Sequence, residues 1–141
     1  MIENLGLEVR VLSNLIYNKL NQTTMETENL TIHQCWVLQH LTQNVGKEVY
    51  QKDIERLFSI KRSTANQMLR TMESRGYIRR AVSEEDARRN ILTVTEDGIA
   101  ACGHLVEKLY QFMLKLHGDI PRDELEQFQA TLRKLWKNIE A

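Results

Sequence analysis

Residues 54–95 constrain the fold most, because three kinds of local signal follow one another there in a fixed order. A short helix and a two-residue turn come first, and an amphipathic helix is predicted over about residues 62–74. Gly76 then precedes two segments of strand composition, 77–82 and 90–94, which are joined by a polar loop. This order predicts a helix-turn-helix followed by a two-stranded wing.

The helix predicted over residues 62–74 has two chemically different faces. One face is an apolar stripe at helical spacing. The other carries side chains that can donate to and accept from base edges in the DNA major groove. A polar solvent face is the alternative interpretation of this helix taken alone. The candidate DNA-contacting residues here are Lys61, Arg62, Ser63, Thr64, Asn66, Gln67 and Arg70.

Lys61 stands where this helix begins, and it is a poor choice for that position. Lysine is a weak N-cap, and the helix dipole disfavours a cation at the N-terminus. A DNA phosphate would supply the missing negative charge and would accept the free N–H groups. Broken local rules of this kind often mark functional sites.

The predicted wing loop carries Arg88 and Arg89 after the acidic residue Asp86. An arginine at the tip of a ribbon can enter the narrow minor groove, and Asp86 is close enough to hold Arg88 by an ion pair. A plain surface salt bridge on an exposed hairpin is the alternative. From residue 61 to 89 the chain has eight basic and four acidic residues, hence +4; the whole chain carries +0, so the remainder carries −4. Positive charge is therefore concentrated in this segment.

The two ends of the chain predict helices that need a partner. Apolar residues recur at helical spacing over about residues 3–21, and two further stripes follow residue 95. Three stripes exceed what the small winged core can cover, so we expect them to be buried across a two-fold homodimer interface. An intramolecular bundle is the alternative. We therefore predict one mainly α (α+β) domain over 1–141, with a DNA-binding lobe at about 30–95 and dimerisation helices at about 1–22 and 96–141.

Composition narrows the function classes. The chain has 42% hydrophobic and 27% charged residues, and its apolar runs are too short to cross a bilayer. Two cysteines and a start without signal-peptide features favour a reduced, cytoplasmic protein without membrane association. A Gly-rich phosphate loop, a nucleophile elbow and a paired-carboxylate motif are all missing, so we expect no enzyme and no cofactor.

Several segments together resemble the MarR family of bacterial winged-helix regulators, over essentially the full length. The most specific match is Asp86-x-Arg88 followed by the segment from Leu92 to Gly98. Further matches are Leu30-Thr31 with Trp36 and Leu38, Gln51 to Leu57, Ser63-Thr64-Ala65 and Met72 to Arg80. Two positions depart from the family pattern: Tyr50 replaces the usual Ser or Thr, and Lys61 replaces the usual Asn or Asp.

The resemblance implies a homodimer with intertwined terminal helices that binds double-stranded DNA at a pseudo-palindromic site, usually as a repressor. Recognition helices would enter successive major grooves, Arg88 would reach the minor groove, and Arg89 would contact the backbone. Many members release DNA when a small anionic aromatic effector binds between the dimerisation layer and the lobe. Tyr17, His33, Trp36 and His40 are candidates for lining such a pocket, with ordinary core packing as the alternative.

Cysteine oxidation and metal binding are two other possible forms of regulation. Cys35 and Cys102 fit buried structural positions, and Cys35 is the better redox candidate. The histidines lack the i, i+4 pairing of a helical zinc site, so we expect no metal. The alternatives to a ligand-released repressor are a Cys35-based redox regulator and a winged-helix module that binds protein, with weak or lost DNA binding.

Overall fold

The computed structural model of the chain describes residues 4–140. The helices are α1 Leu5–Glu28, α2 Ile32–Gln43, α3 Gln51–Phe58, α4 Arg62–Ser74, α5 Glu96–His117 and α6 Arg122–Glu140. The strands are β1 Val49–Tyr50, β2 Ile78–Val82 and β3 Asn90–Val94. This is the predicted winged helix-turn-helix. The outermost positions of the predicted terminal helices, 1–3 and 141, lie outside the described residues.

The chain forms two compact units that divide after Glu107, inside α5. The first unit contains α1 to α4, the sheet and the first part of α5, and it includes the predicted lobe at 30–95. The core of this unit is built mainly from buried apolar side chains. The largest buried side chains of this core include Leu30, Ile32, Leu38, Ile54, Leu69, Met72, Ile78 and Leu105. The second unit contains the rest of α5 and α6.

Helix α1 is longer than its sequence pattern predicts, because residues 22–28 are helical and not a loop. The threonines of this segment satisfy their hydroxyl groups inside the helix: Thr23 donates to Lys19 O at 3.1 Å, and Thr27 donates to Thr23 O at 2.8 Å. Asn29 then ends the helix in the left-handed conformation, with φ at 53°. Helix α1, which we predict to be a dimerisation helix, therefore extends beyond the predicted boundary at residue 22.

The sheet has three antiparallel strands in the order β1-β3-β2, one more than the predicted two-stranded wing. Strands β2 and β3 pair from Ile78 opposite Val94 to Val82 opposite Asn90, and these two strands form the wing. Strand β1 adds Val49 opposite Leu92. A two-residue strand is too short to show alternation in the sequence, which is why β1 escaped prediction.

The start of helix α5 lies beside the turn that follows α4, and Thr95 links the two. The Thr95 hydroxyl donates to Gly76 O at 2.6 Å and accepts from the Gly98 N–H at 3.1 Å, so it caps α5. Gly76, at φ +81°, provides the left-handed turn after α4. A Cβ atom on Gly98 would lie 2.3 Å from the Tyr77 carbonyl oxygen. The start of α5 can therefore pack on the base of the wing only with glycine at 98.

We predict that Gly98→Ala lowers the free energy of unfolding by about 2 kcal/mol or more, because the backbone of the wing must shift to admit a methyl group. Gly103→Ala is the matched control in the same helix, since a Cβ there meets no atom within 4 Å and alanine favours helix. Urea denaturation at fixed protein concentration measures both. Equal stability of the two variants would contradict the close packing at Gly98.

Candidate nucleic-acid interface

Helix α4, which we predict to be the recognition helix, packs one face against the core and exposes the other face to solvent. Ala65, Leu69 and Met72 are fully buried beneath it. The exposed side chains include most of the predicted DNA-contacting residues: Lys61, Arg62, Ser63, Thr64, Gln67 and Arg70. Asn66 is different, because it is partly buried at the edge of the helix that faces the sheet.

The N-terminus of α4 has unsatisfied donors. Lys61 is the N-cap residue, and within residues 4–140 its side chain makes no capping hydrogen bond. The first turn brings a second cation, Arg62, and no acidic residue stands in that part of the sequence. Free N–H groups beside cations are the chemistry that suits an anion.

The wing loop is ordered by two short side chains. The Ser83 hydroxyl accepts the N–H groups of Glu85 and Asp86. Asp86 in turn accepts the Arg88 N–H at 3.0 Å and its Nε at 3.4 Å. The hydrogen bond from the Arg88 backbone is the main cause that lowers the pKa of Asp86, with the Arg88 side chain and the charge of Arg89 adding to it. Asp86 is thus a fixed anion that orients the two wing arginines.

The two wing arginines differ in their freedom. The Arg88 side chain is 93% exposed, whereas that of Arg89 is 54% exposed. The Arg89 guanidinium carbon lies 5.0 Å from the centre of the Tyr50 ring, and its Nε atom lies 3.7 Å from Asp86 Oδ2. Tyr50, one of the two departures from the family pattern, therefore positions Arg89 at the base of the wing. Helix α3 still starts at Gln51, because the Asp53 carboxylate accepts the Tyr50 N–H at 2.8 Å.

A depression of about 270 Å³ lies between the wing and the start of α3 and α4. Five basic side chains line it: Lys52, Arg56, Arg62, Arg88 and Arg89. Asp53 and Glu55 are also part of the lining. Sequence reasoning missed Lys52 and Arg56, although their i, i+4 spacing on the short helix was a usable signal.

Arg80 on β2 ties the wing to both helices of the helix-turn-helix. Its side chain is only 15% exposed. It donates to Asn66 Oδ1 at 2.7 Å, to Gln51 Oε1 at 3.4 Å and to Glu73 Oε1 at 3.3 Å. Sequence reasoning missed this network, because these residues are separated along the chain and nothing in their spacing indicates contact.

Comparison with known proteins agrees with this geometry. The family model described as "MarR family" matches residues 28–89. The chain is 24% identical to an uncharacterized HTH-type transcriptional regulator of Bacillus subtilis (strain 168), YwaE, over 98% of this chain and 84% of that protein. The transcription regulator MarR from Oenococcus oeni PSU-1 superposes with a TM-score of 0.79 at 25% identity, over 95% of this chain and 99% of that one. These matches support a resemblance of this chain to the MarR family of transcription regulators.

A third protein of known structure has a similar fold. MepR of S. aureus in a complex with DNA has a TM-score of 0.83 at 24% identity, over 95% of this chain and 96% of that one. The MarR family and these relatives are transcription regulators, which are not enzymes.

Three of the four candidate pocket residues lie together. The His33 ring lies 5.3 Å from the Tyr17 ring and 5.5 Å from the Trp36 ring, and the sequence did not predict its third neighbour, Phe58, at 5.6 Å. Burial lowers the pKa of His33, which favours the neutral form of its ring. His40 lies further along α2 and is not one of these rings. The cluster joins α1 to α2 and α3.

The two cysteines are buried, as the sequence predicts. Burial raises the pKa of the Cys35 thiol to about 12, and the neighbouring Cys102 adds to the shift. A thiol with so high a pKa supplies almost no thiolate, which disfavours Cys35 as a peroxide sensor. Within residues 4–140 no group of three His, Cys, Asp or Glu side chains is placed to hold a metal ion, and no helix there is long and apolar enough to cross a membrane.

Lys61→Ala should weaken DNA binding and reduce the salt slope, log Kd against log salt, by about 0.9, the share of one phosphate contact. Stability should not fall, because Lys61 caps nothing. Lys134→Ala on α6 is the control for a lost surface charge. A marked loss of stability with unchanged DNA affinity would refute this role for Lys61.

Asp86 and Arg88 should act as one unit in DNA binding. Arg88→Ala is expected to cost about 1–3 kcal/mol of binding free energy. Asp86→Asn should weaken binding when Arg88 is present and leave it unchanged or stronger in the Arg88→Ala background, since the remaining effect is removal of a negative charge. A double-mutant cycle by fluorescence anisotropy measures the coupling; additive effects would show that Asp86 does not hold Arg88 for DNA.

Proposed function

We propose that this MarR-family regulator is a repressor that acts in the cytoplasm. It binds a pseudo-palindromic operator as a homodimer and is released by a small anionic aromatic effector. The observation that carries the proposal is the convergence of basic side chains from α3, α4 and the wing on one depression. A duplex is the ligand whose regularly spaced phosphates such a surface fits.

The DNA-contacting residues have distinct proposed roles. Lys61 and Arg62 bind a phosphate at the start of α4, and Lys52 and Arg56 bind the neighbouring backbone. Ser63, Thr64, Asn66, Gln67 and Arg70 face base edges of the major groove. Arg88, held by Asp86, enters the minor groove, and Arg89 contacts the DNA backbone.

Homodimer formation is supported by apolar side chains that the described chain leaves in solvent. On α1, Leu7 and Leu15 are 59% and 63% exposed. In the second unit, Trp136 is 55% and Ile139 is 85% exposed, and within residues 122–140 no side chain is buried. Patches of this kind mark interaction surfaces. We propose that α1, α5 and α6 bury them against a second copy, with 30–95 as the DNA-binding lobe.

Release by an effector is supported by the aromatic cluster of Tyr17, His33, Trp36 and Phe58. Its rings belong to α1 of the proposed dimerisation layer and to α2 and α3 of the lobe. A flat ligand that entered there would change the separation of the two lobes, and the recognition helices would lose register with successive grooves. An effector acting in this way must bind the free dimer more tightly than the operator-bound dimer.

Selection of bound fragments from the source genome by the purified protein tests the proposal, at two salt concentrations and beside Arg88→Ala. We expect a short inverted repeat to be enriched, and to be lost or loosened with Arg88→Ala. Binding without sequence enrichment, or no binding at either salt, would contradict the proposal and favour a winged-helix module that binds protein.

A further inference from the structure

The C-terminal end of α1 is completed by a cation from another helix. The last turn of α1, residues 25–28, has no basic residue, and Asn29 follows it in the left-handed conformation. The last carbonyl groups of a helix lie at the negative end of its dipole, where a cation is stabilising. Arg75, the C-cap residue of α4, supplies that cation.

The Arg75 guanidinium binds the end of α1 with both of its terminal nitrogens. Nη1 donates to Asn29 O at 2.6 Å, and Nη2 donates to Glu28 O at 3.1 Å. Nη2 also donates to the Tyr77 hydroxyl at 3.4 Å, and the guanidinium carbon lies 4.9 Å from the centre of the Tyr77 ring. These contacts fix the planar fork of arginine between the end of α1 and the base of the wing.

The C-terminal half of α1 is part of the lobe, whereas its N-terminal half is not. The Glu28 carboxylate accepts a hydrogen bond from His104 on α5. Asn21 Oδ1 accepts the first N–H of α2 at 2.9 Å, and Leu20 and Thr24 are buried. The N-terminal half instead exposes the apolar side chains that we propose to lie in the dimer interface. Helix α1 therefore joins that interface to the lobe.

Arg75 lies at the opposite end of α4 from Lys61, so a small rotation there has a large effect at the proposed DNA contacts. Helix α4 has 13 residues, which makes it about 20 Å long. A tilt of about 10° at Arg75 would move the start of α4 by about 3–4 Å, close to the spacing of successive phosphates on one DNA strand. The contact between Arg75 and α1 resists such a tilt.

We propose that Arg75 is a positioning residue that joins the recognition helix α4 to α1 and thereby sets the half-site spacing that the dimer accepts. The inference rests on the proposed function, because it requires a homodimer that binds an inverted repeat. It deepens that function by assigning the choice of operator spacing to a residue outside the proposed set of DNA contacts.

The test compares two variants of Arg75 with a matched control. Arg75→Ala removes the guanidinium, and Arg75→Lys keeps a cation but loses the planar fork. Arg79→Ala is the control, because Arg79 is an exposed cation close by on β2. Each protein selects from a library of duplexes in which the enriched half-sites are kept and their spacing varies in single base-pair steps. Thermal melting gives the temperature range in which each variant is folded.

The ratio of affinities for different spacings separates positioning from stability. A partly unfolded variant loses affinity for every spacing by the same factor, because only the folded protein binds. We expect the wild type and Arg79→Ala to prefer one spacing over its neighbours by about tenfold, as for one mismatched base pair, and Arg75→Ala by about threefold or less. The half-site sequence should stay the same. Arg75→Lys should relax the spacing less than Arg75→Ala does.

An unchanged spacing preference in every folded Arg75 variant would overturn the inference and leave the proposed function intact. An equal loss of preference in Arg79→Ala would overturn it as well, since any nearby cation would then serve. If the wild type enriches no inverted repeat, the proposed function fails and the inference with it.

Discussion

The Arg80 guanidinium places a permanent positive charge where the wing meets both helices of the helix-turn-helix, and the shape of the basic surface depends on it. A cation so sheltered is tolerated only when its donors are satisfied, and here Glu73, Gln51 and Asn66 accept them. Because these acceptors lie on α3 and α4, the network sets both helices against β2 before DNA is present. Such preorganisation lowers the entropic cost of binding.

Helices α2 and α5 begin with capping residues, whereas α4, where we propose that DNA binds, does not. Helix α2 begins with a reciprocal capping box between Thr31 and Gln34, and α5 begins with Thr95 followed by two acidic residues. Helix α4 begins with Lys61 and Arg62. The same sequence thus follows the rules of helix capping at two sites and breaks them at a third, which is the end of the helix that lies beside the basic depression. A phosphate would complete this helix start.

Much of the fold follows from local sequence signals, and much of the interface does not. Periodicity located the helix-turn-helix, Gly76 marked the end of α4, and strand composition marked the wing. The helical residues 22–28 were missed because threonine and asparagine suggest a loop, although threonine hydroxyls can bind the backbone within a helix. The contacts of Arg80 with Asn66 and of Arg89 with Tyr50 join distant parts of the chain. Only the fold brings them together, so spacing could not predict them.

We propose that two copies of this chain present their recognition helices to successive major grooves of one operator. Spacing of the contacts tests it most directly, because the two-fold arrangement fixes the distance between half-sites. Hydroxyl-radical footprinting on the selected operator, with the mass of the complex measured in parallel, gives both spacing and stoichiometry. We expect two chains per duplex and two protected regions whose centres are about 34–36 Å apart along the helix axis. One chain per duplex, or a single protected region without a repeat, would contradict the account.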